Sequence, residues 1–288
     1  MTENSGFQKT DWNGDGGEHW VTNQTQLDAM MAVFGQAAIK AAAPAEGEKV
    51  LDVGCGAGTT SFDLAARVGK GGHVLGVDIS KALIDRARAL APKDIPARFE
   101  LADASSFDLP QGAFDILFSC FGVMFFDNPT AAFAHMRRGL KPGGRVAFVC
   151  WRAMAENDWV RVPMTAITDI LPAMAPPGPE TPGPFSFSDQ GRVTCILTGA
   201  GFTDVTFVPF DASIIFGSGE TRDAAIDDAV KMTLTVGPLA RTLVDQPDNV
   251  RIRVWAAVRA AYVQRASDRS VALNGATWIV TARNEAGL

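Results

Sequence analysis

The chain has 288 residues, 47% of them apolar, and a formal net charge of −6. That length supports one large domain with insertions, or a domain of about 150 residues beside a smaller one; the acidic balance provides no positive field to gather phosphate backbones and disfavours nucleic acid as a partner. No segment approaches the roughly 20 continuous apolar residues of a membrane span, the polar start has no leader-like apolar core, and four scattered cysteines (Cys55, Cys120, Cys150, Cys195) form neither a metal pair nor a disulfide framework, which suits reduced thiols in the cytoplasm.

Met1 to Trp20 is rich in Gly, Asp and Asn and reads as an arm or loop that orders on binding. A helix follows from Asn23 to Ala43, where Leu27, Met30, Met31, Phe34, Ala38 and Ile39 recur at helical spacing before Pro44 and Gly47 end it. Together, residues 1–48 are expected to cover the active site. From Lys49 the pattern alternates. Strands are predicted at 49–53, 73–78, 97–101, 114–119 and 144–151, and helices at 59–68, 80–90 (with Ser80 as cap) and 129–138. Strands and helices at this spacing form a doubly wound α/β sheet of parallel strands.

Beyond Trp151 the regularity lapses. Met174 to Pro184 is too rich in proline for a helix or a central strand and reads as a surface loop or flap. Ser188 to Ala200 is predicted helical and Thr203 to Phe210 a sixth strand; 221–266 is helical in two or three pieces, broken at Gly237-Pro238 and near Pro247, and Ala276 to Ala282 is a last strand. The stretches 152–187 and 212–272 therefore read as lid insertions on a domain spanning 49–288, and a lid that also forms a homodimer is compatible with them.

The sharpest signal is Val50-Leu51-Asp52-Val53-Gly54-Cys55-Gly56-Ala57-Gly58-Thr59. A strand ends in a loop whose glycines let backbone N–H groups approach a ligand at the N-terminus of the next helix. Such a loop also serves nicotinamide and flavin proteins. Here, however, the spacing is G-x-G-x-G, and the carboxylate of Asp52 inside the strand suits a ligand carrying an ammonium group while repelling a pyrophosphate. Asp78 ends the second strand, where it can accept from both ribose hydroxyls, and Asp103, after the third, can accept from an exocyclic amine such as adenine presents.

These motifs resemble those of class I S-adenosylmethionine-dependent methyltransferases, in particular the group similar to ubiquinone/menaquinone-biosynthesis C-methyltransferases. The resemblance is carried by the glycine loop, Gly76-Val77-Asp78-Ile79-Ser80, Ala102-Asp103-Ala104, Phe114 to Ser119, and Gly139-Leu140-Lys141-Pro142-Gly143-Gly144-Arg145, and it covers about Lys49 to Trp151. It implies a Rossmann-like sheet of seven strands whose last runs antiparallel, with Ala276 to Ala282 in that role. It also implies that Gly54, Cys55, Gly56 and Gly58 pack against the methionyl part of S-adenosylmethionine and that Asp52 orients its amino end. By the same resemblance Asp78 holds the ribose, Ile79 lies against the adenine, Asp103 and Ala104 read the adenine, and Ser119 meets the methionyl amine through its backbone. Trp20 from the arm joins this cofactor-binding set.

Methyl transfer is an in-line displacement, so the protein mainly aligns the nucleophile and excludes water. The acceptor site of an open parallel sheet lies beyond the carboxyl ends of its strands. Phe121 and Met124 after the fourth strand, and Trp151, Arg152, Asn157 and Arg161 after the fifth, are the candidate substrate-binding residues, and their aromatic content points to a small apolar or aromatic acceptor. His19 is the candidate base, because His73 starts a strand at the wrong edge of the sheet and His135 lies in mid-helix. No carboxylate cluster suggests a metal. The competing readings are a nicotinamide-dependent oxidoreductase and a non-catalytic S-adenosylmethionine-binding protein; the G-x-G-x-G spacing, Asp52 and Asp103 argue against the first.

Overall fold

The computed structural model describes residues 12–172, 178 and 180–285, so the first eleven residues and much of the proline-rich flap lie outside the described part. Seven strands form one sheet: β1 (Lys49–Val53), β2 (His73–Asp78), β3 (Ala97–Leu101), β4 (Phe114–Cys120), β5 (Leu140–Trp151), β6 (Thr203–Ser218) and β7 (Ser270–Arg283). Their order across the sheet is β3-β2-β1-β4-β5-β7-β6. The first five are parallel and β7 runs antiparallel to β5, with Arg145 opposite Arg283 and Trp151 opposite Thr277. This is the α/β, Rossmann-like architecture with a reversed last strand that the resemblance implies.

The order reverses at β1, so β1 and β4 part at their carboxyl ends and leave the crevice where open α/β sheets bind ligands. Val50, Leu51 and Val53 are fully buried, as a central parallel strand covered on both faces requires. Asp52, equally buried, is the exception in this run. Helices α3 (Thr59–Val68), α4 (Lys81–Leu90) and α5 (Pro129–Arg137) make the crossovers, and Asn128 caps α5 by accepting from the Ala131 N–H at 3.0 Å.

Two compact units divide the chain: residues 1–152, 177–210 and 277–288 form one, residues 153–176 and 211–276 the other. The second holds α6 (Asp158–Ala166), α8 (Arg222–Thr235), α9 (Pro238–Thr242) and α10 (Asp248–Val263). Within it the buried hydroxyls of Thr233 and Tyr262 share a hydrogen bond of 2.6 Å. The nearly buried Asp158 takes both the Arg161 guanidinium and Arg265 Nη1, the latter at 2.8 Å. Helix α7 (Gln190–Gly199) belongs to the first unit.

Four expectations need correction. The arm is not a loop at its end: Asp15–Thr22 forms α1, which runs into α2 (Gln24–Ala42). The sixth strand does not stop at Phe210 but continues to Ser218, because Ile214 and Phe216 extend the buried alternation past the low-propensity Asp211-Ala212-Ser213. The seventh likewise starts at Ser270, and α6 forms where no helix is predicted, its apolar residues being interrupted by Pro163.

α2 lies on the sheet with Phe34, Ala38, Ile39 and Ala42 buried, and ends in a left-handed Ala43. Its terminal carbonyls are closed by Arg145 of β5, which donates from Nε to Ala42 O at 2.6 Å and from Nη2 to Ala43 O at 2.8 Å while pairing with Glu48. That pairing with the Arg145 guanidinium holds the Glu48 carboxyl below its usual range. Arg145→Ala is expected to cost about 2 kcal/mol at pH 7 by leaving these partners unpaired. A carboxyl of depressed pKa contributes stability above its ordinary value of 4.5 and loses it as pH falls, so the cost seen in urea unfolding shrinks in acid.

Candidate functional site

The loop between β1 and α3 is shaped by three glycines in the left-handed region, with φ of 68° at Gly54, 55° at Gly56 and 91° at Gly58. At Gly54 the conformation serves a close approach: a Cβ there would lie 2.7 Å from the Cα of Gly122, just beyond β4. At Gly56 it serves openness, since a Cβ there meets nothing within 4 Å. The loop is tied to β2 through the Gly54 and Cys55 N–H groups, both donated to Val77 O, at 2.9 and 3.1 Å. The N–H groups of the first turn of α3 have no partners within the helix and give this corner a positive potential.

Beneath the loop sits Asp52. Its Oδ2 accepts from the Thr60 and Ser61 hydroxyls at 2.9 and 2.6 Å, whereas its Oδ1 is buried without any hydrogen-bond partner. Burial pushes this carboxyl up to about 6, against the two hydroxyls that favour its charge. A buried acceptor oxygen under an anion-friendly loop is what a zwitterionic amino-acid group would complete, its carboxylate toward the helix N-terminus and its ammonium toward Oδ1. The residues present thus fit the cofactor that the sequence resemblance implies.

Asp78 closes the other side. Its Oδ2 accepts from the Gly56 N–H at 2.9 Å and its Oδ1 from the Ser80 N–H at 2.8 Å, so one side chain shapes the loop and starts α4. Burial raises this carboxyl, with the N–H groups of Ser80, Gly56 and Ile79 opposing. Each oxygen retains acceptor capacity for a sugar hydroxyl. Ser80 occupies the cap position of α4 as predicted, yet its hydroxyl makes no cap bond and is buried without a partner. Ile79 is half-buried beside it. Asp103 is held at the end of β3, where its Oδ1 accepts from the Ser105 N–H and hydroxyl at 2.9 and 2.6 Å, and Ala104 is buried next to it.

The exit of β4 carries the aromatic residues. Ser119 is fully buried and acts as a tether: its hydroxyl donates to Val53 O at 2.7 Å and accepts from the Gly122 N–H at 3.1 Å. Phe121, between them, is forced to φ 61°, a conformation that costs a non-glycine residue roughly 1–3 kcal/mol. Its ring stacks on Trp151 at 4.4 Å, and Phe34 stands edge-on to both, at 5.8 and 5.2 Å, with Phe210 6.0 Å away. Trp151 and Phe34 are buried, so Phe121 and Phe210 present the accessible part of this wall.

Other predicted residues are placed elsewhere. The Cys55 side chain is buried in a core cluster with Ile84, Ala87 and Phe99, so only its backbone belongs to the loop. Met124 is core, with 1% exposure. Asn157 is fully buried in the second unit, where Nδ2 donates to Ala153 O and Ala276 O and Oδ1 accepts from the Ala276 N–H; it is a structural clamp, not a substrate-orienting group. Arg161 is engaged by Asp158, and Arg152 lies 5.0 Å over the Trp278 ring. His19 is exposed on α1, and Trp20 meets Trp12 edge-on at 5.7 Å, with Trp12 in turn 5.3 Å from Phe125. His135 is bound through Nε2 to Phe107 O at 2.7 Å, and Asp115, which burial would raise, is held below its ordinary value by Lys141 and the Lys49 N–H. Among the described residues, no group of three or more His, Cys, Asp or Glu side chains is placed to hold a metal ion, and no helix is long and apolar enough to cross a membrane.

The sequence reading missed Asp28. From α2 it accepts the Thr59 hydroxyl at 2.9 Å and Gln24 Nε2 at 3.0 Å. Nothing in the amphipathic pattern of α2 separates it from a solvated helix residue; the run Thr59-Thr60-Ser61 is the one available hint, since consecutive hydroxyls after a glycine loop need acceptors. Cys120 lies close by. Burial raises its thiol, with the charges of Asp52 and Asp28 adding to the effect.

Residues 50–144 match a family model described as a methyltransferase domain. The chain is 34% identical over 117 residues to aklanonic acid methyltransferase DauC of Streptomyces sp. (strain C5), an alignment covering 40% of this chain and 53% of that one. It is 30% identical to nocamycin O-methyltransferase of Saccharothrix syringae over 62% of this chain and 67% of the relative. A phosphoethanolamine N-methyltransferase of Haemonchus contortus, solved with phosphomonomethylethanolamine and S-adenosylhomocysteine, shares the fold at 17% identity and a TM-score of 0.52, over 88% of this chain and 52% of its own.

Because the Asp52 pKa is raised in the fold from 3.8 to about 6, its ionisation weakens the ligand-free protein as pH rises through that interval. Relative to Asp52→Asn, the wild-type chain is therefore expected to lose up to about 3 kcal/mol between the two values and no more above them, read as the difference in urea unfolding free energies at stepped pH. A pH-independent difference between the two proteins would contradict this.

Proposed function

The chain belongs to the S-adenosylmethionine-dependent methyltransferases, and we propose that it transfers a methyl group from that cofactor to a small apolar or aromatic acceptor. The observation that carries the cofactor half is the buried, unpartnered Oδ1 of Asp52 under a loop left open at Gly56. In this reading Asp52 takes the methionyl ammonium, the loop from Gly54 to Gly58 packs against the methionyl part while the first-turn N–H groups of α3 take its carboxylate, and Asp78 holds the sugar with Ile79 beside it. Asp103 and Ala104 read the base. Bound S-adenosylmethionine supplies a methyl carbon already activated by its sulfonium.

The acceptor half rests on the wall of Phe121, Trp151, Phe34 and Phe210 at the carboxyl ends of β4 and β5. An apolar or aromatic ring lying on Phe121 would displace water from the reaction line and hold a nucleophile in place, which is the main contribution a protein makes to such a displacement. The names of the relatives, an aklanonic acid methyltransferase and a nocamycin O-methyltransferase, are in keeping with small-molecule acceptors.

A thermal-shift comparison of S-adenosylhomocysteine with NAD tests the cofactor half: stabilisation by the first alone, abolished in Asp78→Ala, is expected, and stabilisation by NAD alone would overturn it. For the acceptor, S-adenosylhomocysteine release is measured across a panel of phenolic, aliphatic and amine compounds. Turnover of a phenolic or apolar member is expected to fall roughly tenfold in Phe121→Ala with homocysteine-nucleoside affinity preserved. Turnover confined to charged amines would overturn the acceptor assignment.

A further inference from the structure

Four side chains form one hydrogen-bonded strut across three helices that border the site. Arg86 of α4 donates from Nε to Gln24 Oε1 at 2.7 Å; Gln24 Nε2 donates to Asp28 Oδ2 at 3.0 Å; the Thr59 hydroxyl, first in α3, donates to that same Oδ2 at 2.9 Å. Gln24 at its centre is 8% exposed, while the Thr59–Asp28 link at its end lies at the surface. It links α4, which begins just after Asp78, to α3, which begins just after the glycine loop, through a helix that lies outside the loop-and-sheet motif.

The next two hydroxyls complete the arrangement. Thr59 goes to Asp28, while Thr60 and Ser61 go to Oδ2 of Asp52. One turn of helix thus bonds to two carboxylates from different elements, with both the Thr60 and Ser61 hydroxyls on one oxygen of Asp52 and the other, buried Oδ1, without a partner. Helix α2 comes close enough to enforce this: a Cβ on Gly35 would lie 3.3 Å from Thr60 Cγ2 and 3.5 Å from Cys120 Sγ.

We propose that Asp28 is a positioning residue for the cofactor, acting through Thr59 to fix the first turn of α3 so that Asp52 Oδ1 and the adjoining helix N–H groups meet the methionyl ammonium and carboxylate together. This deepens the cofactor assignment above and rests on it. Asp28 contributes by restraining the turn; without it the turn relaxes, the Thr60 and Ser61 hydroxyls share both oxygens of Asp52, and the ammonium loses its reserved acceptor.

A double-mutant cycle on S-adenosylhomocysteine affinity, measured by calorimetry at pH 7.5, tests this. Asp28→Ala and Thr59→Val are each expected to weaken binding about tenfold, the double variant no further than either alone, because they break one interaction. Thr59→Ser, which keeps the hydroxyl, restores most of the affinity. Circular dichroism and melting of each variant keep a folding defect separate, and if Asp28→Ala melts, the loss in Thr59→Val set against its recovery in Thr59→Ser carries the test. Unchanged affinity in the single variants, or losses that simply multiply in the double, would overturn the positioning role. Failure of the wild-type chain to bind S-adenosylhomocysteine would overturn the cofactor assignment as well, which distinguishes the two.

Discussion

A carboxylate shut inside a central parallel strand is the constraint around which the rest is arranged. Asp52 stands where a valine or isoleucine would pack without cost, and burial opposes its charge. Three features follow from accommodating it. The start of α3 supplies consecutive hydroxyls, α2 crosses at Gly35 to confine them, and just beyond β4 Gly122 passes against Gly54 over the same corner. The unpartnered oxygen is a destabilising element of the ligand-free chain that a cationic amino group can convert into a stabilising one, which makes the site an acceptor of a particular charge and not merely a cleft.

The two halves of the crevice obey different rules. The glycine loop itself is held through backbone N–H groups, as with the Gly56 and Ser80 N–H groups on Asp78 or the loop amides on Val77 O, while the helix that follows it is held through side-chain hydroxyls. Backbone donors cannot change rotamer, so the loop itself is geometrically rigid. At the end of β4 the determinants are side-chain rings on a residue in a left-handed conformation, stacked on a buried tryptophan. In the proposed reading, acceptor choice can therefore vary at these rings on an unchanged cofactor frame.

The parallel core was legible because its signals are local and redundant: apolar runs of strand length, glycines at a strand-to-helix turn, and aspartates at strand ends mark β1 to β4 to within a residue. Asp52, Asp78 and Asp103 follow from the same signals, since strand ends fix where their side chains emerge. The rest depends on partners far away in sequence. Asn157 looked like a pocket residue because it is polar and follows β5, but whether an asparagine faces a ligand or clamps a backbone depends on what stands opposite, here Ala276, more than a hundred positions on. Met124 and Phe121 are neighbours in one apolar run, and only the left-handed turn at Phe121 sends one into the core and leaves the other at the wall. Asp28 shows the reverse: its role is invisible until α2 is laid across α3.

The environment that raises the Cys120 thiol has a chemical consequence of its own. Sulfur attacks electrophilic carbon as the thiolate, hardly at all as the thiol. Half-buried next to the negative Asp52 and Asp28, Cys120 is held in its thiol form. A soft nucleophile beside the loop is thereby held in its unreactive form, chiefly by its withdrawal from water and in addition by the two carboxylates.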